Sequence, residues 1–184
     1  QRLYYYREVP NEPHIPFEAV VLYEDEHLLV VDKPHFLLVV PSGGYLTQTV
    51  LVRLKSKLGL DDLVQIHRID RDTAGLVMFS KQPATRAAYC ALFSQHAVRK
   101  TYEAIAPWRS DLLFPLTRQS RITEAGHFML QHEVDGPVNA ITSIDLLEVR
   151  GALARYQLKP VTGQRHQLRV HMLALGLPLL NDGL

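Results

Sequence analysis

The apolar positions of this chain fall mostly into short runs, with only three stretches at helical spacing. Residues 19 to 23 and 27 to 32 are rich in Val and Leu on either side of the acidic turn Glu24-Asp25-Glu26, the pattern of a β-hairpin. Further strands are predicted at 76 to 80, 101 to 106, 140 to 148 and 153 to 159, and the run Leu76-Val77-Met78-Phe79 reads as buried throughout. Val50, Leu51, Leu54 and Leu58 predict a helix over Leu46 to Leu58, stopped by Gly59. A second helix is expected from Pro83, a favoured first-turn residue, to Gln95. A third, Gln164 to Leu175, would set Arg165 and Arg169 on one side and Leu168, Met172 and Leu175 in an adjacent apolar stripe. Strand runs interspersed with few helices predict an α+β domain whose sheet is largely antiparallel.

The chain shows no internal repeat, low-complexity tract or composition break, so one domain is expected over residues 18 to 184. Residues 1 to 17, with Tyr4-Tyr5-Tyr6 and three prolines, have no sustained period and read as an extended arm lying on that domain. Pro41-Ser42-Gly43-Gly44 breaks the chain without the spacing of a phosphate-binding loop. The chain starts at Gln1 without Met and stops at Leu184 shortly after a motif, as a fragment truncated at its C-terminus would.

Composition narrows the picture only a little. The 184 residues are 47% hydrophobic and 21% charged, ordinary for a globular protein with a sizeable core. A net charge of +1 does not announce a nucleic-acid partner, so any such surface must come from uneven placement of charge. Residues 8 to 26 carry six acids, whereas residues 160 to 181 carry Arg165, His166, Arg169 and His171 and no acid at all. Arg53, Lys55 and Lys57 form another basic group, for which a solvated face is the simpler reading. Cys90 is the only cysteine, which excludes an intrachain disulfide, and its apolar neighbours mark it as a structural thiol. No stretch approaches the roughly 20 apolar residues of a membrane span, and no signal peptide is recognised, so the cytoplasm is the expected compartment.

The chemistry concentrates in His67-Arg68-Ile69-Asp70-Arg71-Asp72-Thr73-Ala74-Gly75-Leu76. Two carboxylates stand among two guanidiniums just before an apolar strand, where a rigid scaffold can present them to a ligand. A carboxylate flanked by Arg68 and Arg71 stays ionised and oriented, as a nucleophile or a general base requires. In an extended segment Asp70 and Asp72 would face the same way. His67, His166 and His171 do not read as a metal set, because the five-residue interval between the last two puts them on different helix faces.

Four segments, in order, carry a resemblance. His67-Arg68-Ile69-Asp70 with Thr73-Ala74-Gly75 resembles the H-R-L-D-x-x-T-S-G signature of RluA-type RNA pseudouridine synthases. Leu28 to Pro41, containing Asp32-Lys33-Pro34, resembles that family's D-K-P-x-G-L-x-V-H-P stretch, with Phe36 in place of its usual glycine and Val40 in place of its histidine. Lys100-Thr101-Tyr102 resembles its K-x-Y element, and Thr162 to His171 its T-G-R-T-H-Q-I-R-V-H element. Here Gln164 replaces a common arginine, and Arg165 stands where Thr or Ser is usual.

The resemblance implies a pseudouridine synthase fold with a central mixed sheet and a cofactor-free, metal-free isomerase acting on uridines of structured ribosomal or transfer RNA as a monomer. Asp70 matches the catalytic aspartate, Arg169 the arginine that pairs with it, and Tyr102 the tyrosine that stacks on the target base. Arg68 matches a residue that fills the gap left by a flipped base. Leu168 matches an apolar residue lining the uracil pocket. Arg165 is expected at a phosphate, and His67 and Thr73 belong to the substrate-binding signature. Two other readings stay open: a non-catalytic RNA-binding protein of the same fold, and a glycosidase using Asp70 with a second carboxylate such as Asp72.

Overall fold

The computed structural model describes residues 9 to 126 and 130 to 183. Residues 1 to 8, with the tyrosine run, lie outside the described residues, as do 127 to 129 and 184. The chain divides into two compact units, one ending at Gln95 and one beginning at His96.

In the first unit the acidic turn closes the expected hairpin of β1 (Val20–Glu24) and β2 (Leu28–Lys33). The Asp25 carboxylate accepts the backbone N–H groups of His27 and Leu28, both at 2.7 Å, so the turn caps itself. β3 (Val64–Gln65) and β4 (Gly75–Ser80) complete an antiparallel sheet in the order β1-β2-β4-β3. Register pairs Leu29 with Phe79 and Val31 with Val77, and all four side chains are fully buried. The run from Leu76 is therefore buried on one face only, where the sequence predicts a buried strand. Leu76 is 61% exposed and Met78 only half-buried, because the core covers one face of the sheet and strand side chains alternate.

Helix α1 (Val50–Leu58) sends Val50 and Leu54 into that core. It ends at Gly59, whose φ of 66° is the left-handed cap that glycine adopts at least cost. It begins four residues later than the apolar spacing predicts. The Glu12 carboxylate collects the backbone N–H groups of Leu46, Thr47 and Gln48 at 2.7, 2.9 and 2.7 Å, and Thr49 then serves as N-cap. The same clamp seats the arm, which from Val9 to Phe17 has no regular structure. Ile15 is buried, and the Arg53 guanidinium donates to the carbonyls of Ile15 (2.7 Å) and Phe17 (2.6 Å). Lys55 bonds the Asp61 carbonyl and Lys57 pairs with Glu18, so this basic group serves the unit's own structure. Helix α2 (Pro83–Ser94) matches its predicted span, with Cys90 half-buried on it.

The second unit contains β5 (Tyr102–Pro107), β6 (Leu116–Glu124), β7 (Gln131–Val134), β8 (Ala140–Arg150), β9 (Leu153–Pro160) and α3 (Gln167–Ala174). Its antiparallel sheet has the order β5-β9-β8-β6-β7. Met172 of α3 packs into a core with Ile144, Tyr156 and Leu158, and Leu168 and Leu175 pack against that core, so the predicted apolar stripe is the docking face. The helix starts at Gln167 rather than Gln164. His166 adopts φ of 53°, and the buried Gln167 amide accepts from Thr162 Oγ1 (2.7 Å) and Gln164 N–H (3.0 Å) while donating to Ile141 O (3.0 Å). Arg165 thus precedes the helix and does not share a helix side with Arg169, which corrects the expectation drawn from their spacing.

Antiparallel sheets with three helices among the described residues make the class α+β. None of these helices is long and apolar enough to cross a membrane.

Candidate active-site elements

Asp70 stands in the first unit, on the segment that leads into β4. Asp70 to Thr73 forms a turn closed by Thr73 N–H donating to Asp70 O at 3.2 Å. The segment is therefore not extended, and the alternation argument that faced Asp70 and Asp72 the same way does not apply. Arg71 and Asp72 occupy the centre of the turn and pair with each other, Nε to Oδ1 at 3.3 Å, both well exposed. Arg68 is exposed and makes no hydrogen bond or ion pair among the described residues, so it is not a strut to either carboxylate.

Three residues hold the turn. His67 Nε2 accepts the Met78 N–H at 3.2 Å, and its ring stacks on Phe93 of α2 with centroids 4.6 Å apart and planes 16° apart. His35 Nδ1 donates to the carbonyl of Asp72 at 2.6 Å. Lys33 has no exposed surface, and its ammonium donates to the carbonyls of Arg71 (3.0 Å), Leu37 (2.8 Å) and Pro34 (2.9 Å). Burial pushes Lys33 down to about 8, against the pull of Asp72 and then Asp70, so it is still largely a cation at neutral pH beneath two carboxylates. The sequence reading passed over Lys33 as the start of a motif. Its signal is phase: Leu29, Val31 and Lys33 share the buried face of β2, and a lysine at a core position must be bonded.

The other matched residues stand in the second unit. Arg169 of α3 donates through Nε to Asp182 Oδ2 at 2.6 Å and through Nη2 to Oδ1, a two-pronged pair with both side chains about 15% exposed or less. Asp182 was also missed. It is the first acid after the acid-free stretch from 160 to 181, the one trace that the sequence offers. Leu168 is half-buried against the core. Tyr102, at the start of β5 opposite Leu158, is half-buried on the same core. Arg165 lies 3.7 Å from Glu124.

The three histidines do different work. His166 makes the left-handed step into α3, His67 anchors the Asp70 turn, and His171 is fully buried. The His171 Nδ1 lies 2.9 Å from Thr142 Oγ1 and its Nε2 lies 3.0 Å from Ser120 Oγ. Burial pushes His171 below its usual range despite the Glu133 carboxylate, with Arg118 adding to the shift, so the ring is held neutral. Glu133 is itself forked onto Arg118, with Nε to Oε1 at 3.1 Å. Among the described residues no cluster of three or more His, Cys, Asp or Glu is arranged to hold a metal.

Each unit thus offers a rigid charged group: a carboxylate on a pinned turn, and a guanidinium fixed by a bidentate partner. Comparison with known proteins places this arrangement. Residues 27–174 match the family described as RNA pseudouridylate synthase, a span that crosses the boundary between the units. The dual-specificity RNA pseudouridine synthase RluA of Haemophilus influenzae is 32% identical, with 94% of this chain and 78% of that protein covered. The ribosomal large subunit pseudouridine synthase D of Zymomonas mobilis is 33% identical over 96% of this chain and 58% of its own length. An RNA pseudouridine synthase of Synechocystis is 29% identical over the whole chain and 64% of its own length. The chain therefore spans less than two thirds of the length of several relatives it matches. Among solved structures, human RNA pseudouridylate synthase domain containing 4 superposes with a TM-score of 0.70 at 27% identity, covering 88% of this chain and 67% of that one. Together with the pinned Asp70 turn, these matches show that the chain belongs to the RluA-type family of RNA pseudouridine synthases.

Proposed function

We propose that this chain isomerises uridine to pseudouridine in structured ribosomal or transfer RNA, with Asp70 as the reacting carboxylate. The observation that carries the reading is the Asp70 turn. A carboxylate that must meet one sugar or base atom needs a backbone that does not drift, and Lys33, His35 and His67 each fix a different point of this loop. In the reaction the C1′–N1 bond breaks, the base turns while it remains bound, and C5 bonds to C1′ as the C5 proton leaves and N1 gains one. Asp70 acts on the sugar or base as nucleophile or general base, and Arg169, held by Asp182, is its charge partner.

Tyr102 supplies a flat platform for the detached ring, and Leu168 an apolar wall. Arg68, exposed and without a partner in the described residues, fills the place of the extracted nucleotide and offsets part of the few kcal/mol that unstacking costs. Arg165 contacts phosphate, while Thr73 and His67 shape the turn around the substrate. No cofactor takes part. The relative named for the large ribosomal subunit supports a ribosomal target.

The experiment is pseudouridine mapping in total RNA from cells lacking the protein, complemented with the native chain or with Asp70→Asn. A uridine restored by the native chain alone supports the assignment and names the substrate. Restoration by both removes Asp70 from the chemistry.

A further inference from the structure

Phe36 stands where the resembled family has glycine, and the structure explains the glycine. The position has φ of +67°, in the left-handed region that a residue with a Cβ adopts at a cost and a bulky one rarely. A large side chain kept on a strained backbone calls for a reason, and burial does not supply one: Phe36 is 47% exposed. Its ring has two aromatic neighbours. Phe17, 44% exposed, has its centroid 6.3 Å away, and His35, also exposed, has its centroid 6.0 Å away.

This aromatic cluster is fixed at both ends. The Phe17 carbonyl accepts from Arg53 at 2.6 Å, and the His35 ring donates to Asp72 in the centre of the Asp70 turn. The same turn carries Arg71, half-exposed, and follows the exposed Arg68. Rigid, half-exposed rings beside exposed guanidiniums are what an unpaired nucleotide needs: a face to stack on and a charge for its phosphate.

Resting on the pseudouridine synthase reading, we infer that Phe36, flanked by His35 and Phe17, is a stacking platform for an unpaired base of the RNA next to the reacting uridine. It sets which single-stranded context the Asp70 turn accepts.

The test measures binding of a uridine decamer and of an abasic decamer of the same length, by anisotropy, together with the Tm of each variant. Phe36→Gly relieves the strained φ while losing the ring, so its Tm stays level or rises, whereas its affinity for the uridine decamer falls about tenfold. Its affinity for the abasic decamer is unchanged. Phe36→Trp keeps the native affinity, and its added indole emission is quenched by the uridine decamer and not by the abasic one. Equal binding of the uridine decamer by the native and Phe36→Gly chains, or no binding by the native chain, overturns the inference. So does a fall of several degrees in Tm with unchanged affinity, which would make Phe36 a packing residue. Asp70→Asn, assayed beside them, keeps decamer affinity and forms no pseudouridine. If the native chain forms none in total RNA, the functional reading fails instead.

Discussion

The Asp70 turn of the first unit and the start of α3 in the second face the same task, fixing a loop that presents a charged group, and meet it with opposite chemistry. Under the turn sits a buried cation: Lys33 gathers three carbonyls and lies near two carboxylates. At the start of α3 the ties that hold the backbone are neutral. Gln167 bonds Thr162, Gln164, Ile141 and Thr142, and an uncharged His171 bridges Thr142 and Ser120. The Lys33 cation and the nearby carboxylates attract one another, which opposes the loss of its charge on burial. A neutral network fixes the backbone that enters α3, and Asp182 holds the Arg169 guanidinium. The contrast is between a tie that also does electrostatic work and one that is purely geometric.

Removing the charged tie has the largest effect. Lys33→Met leaves the Arg71, Leu37 and Pro34 carbonyls without their shared donor and costs at least about 3 kcal/mol, which lowers Tm by roughly 6–12 °C. Calorimetry reads this, and pseudouridine formation assayed well below the new Tm falls as well, because Arg71 is no longer held.

Loosening the neutral tie costs less and leaves a different mark. His171→Leu takes one hydrogen-bond partner from each of the Ser120 and Thr142 hydroxyls, while Glu133 and Gln167 still bond them, and costs about 1–2 kcal/mol. It also changes the pH dependence. His171 titrates below its unfolded value of 6.5, so between the two values the unfolded chain binds a proton that the folded chain refuses. Its contribution is full above about 6.5 and is lost as pH falls. Thermal scans from pH 8 to 5 therefore show a decline that is shallower in His171→Leu. An identical slope in both chains would mean that the ring is not buried neutral.

The smallest effect concerns the arm. Desolvation opposes ionisation of Glu12, but hydrogen bonds from Thr47, Gln48 and Leu46 outweigh it and hold the carboxyl at about 2. The stabilisation is present above pH 4.5 and disappears as pH falls toward 2. Glu12→Gln lowers stability by about 1 kcal/mol at neutral pH and removes the acid-limb difference from the native chain, which urea titrations at pH 7 and pH 3 resolve.

How much of this was legible in the sequence follows from which forces a hydrophobic pattern records. Strand β2 and the stripe Leu168, Met172 and Leu175 were legible because burial drives them and the pattern records burial. Helix α2, without a fully buried residue, was legible from the proline at its first turn, and the hairpin from its acidic turn, which caps itself. Strand β6 was not. Its inward positions run Leu116, Arg118, Ser120 and Ile122, and the middle two, bonded to Glu133 and His171, interrupt the apolar alternation that would mark a strand. Both misplaced helix starts have non-local or conformational causes: α1 is delayed by Glu12, 34 residues before Leu46, and α3 by the left-handed His166. At the site, Asp70, Arg169 and Tyr102 were named from motifs. Lys33 and Asp182 hold Asp70's turn and Arg169 through tertiary contacts that no motif length records.

The decisive measurement is release of tritium from RNA labelled at C5 of uridine, because joining C5 to C1′ expels that hydrogen. The native chain should release it with pseudouridine appearing in equal amount, and Asp70→Asn should release none while keeping its fold. Release by Asp70→Asn at the native rate, or none from the native chain on RNA taken from cells that lack it, would contradict the assignment of Asp70 as the reacting carboxylate of an RNA pseudouridine synthase.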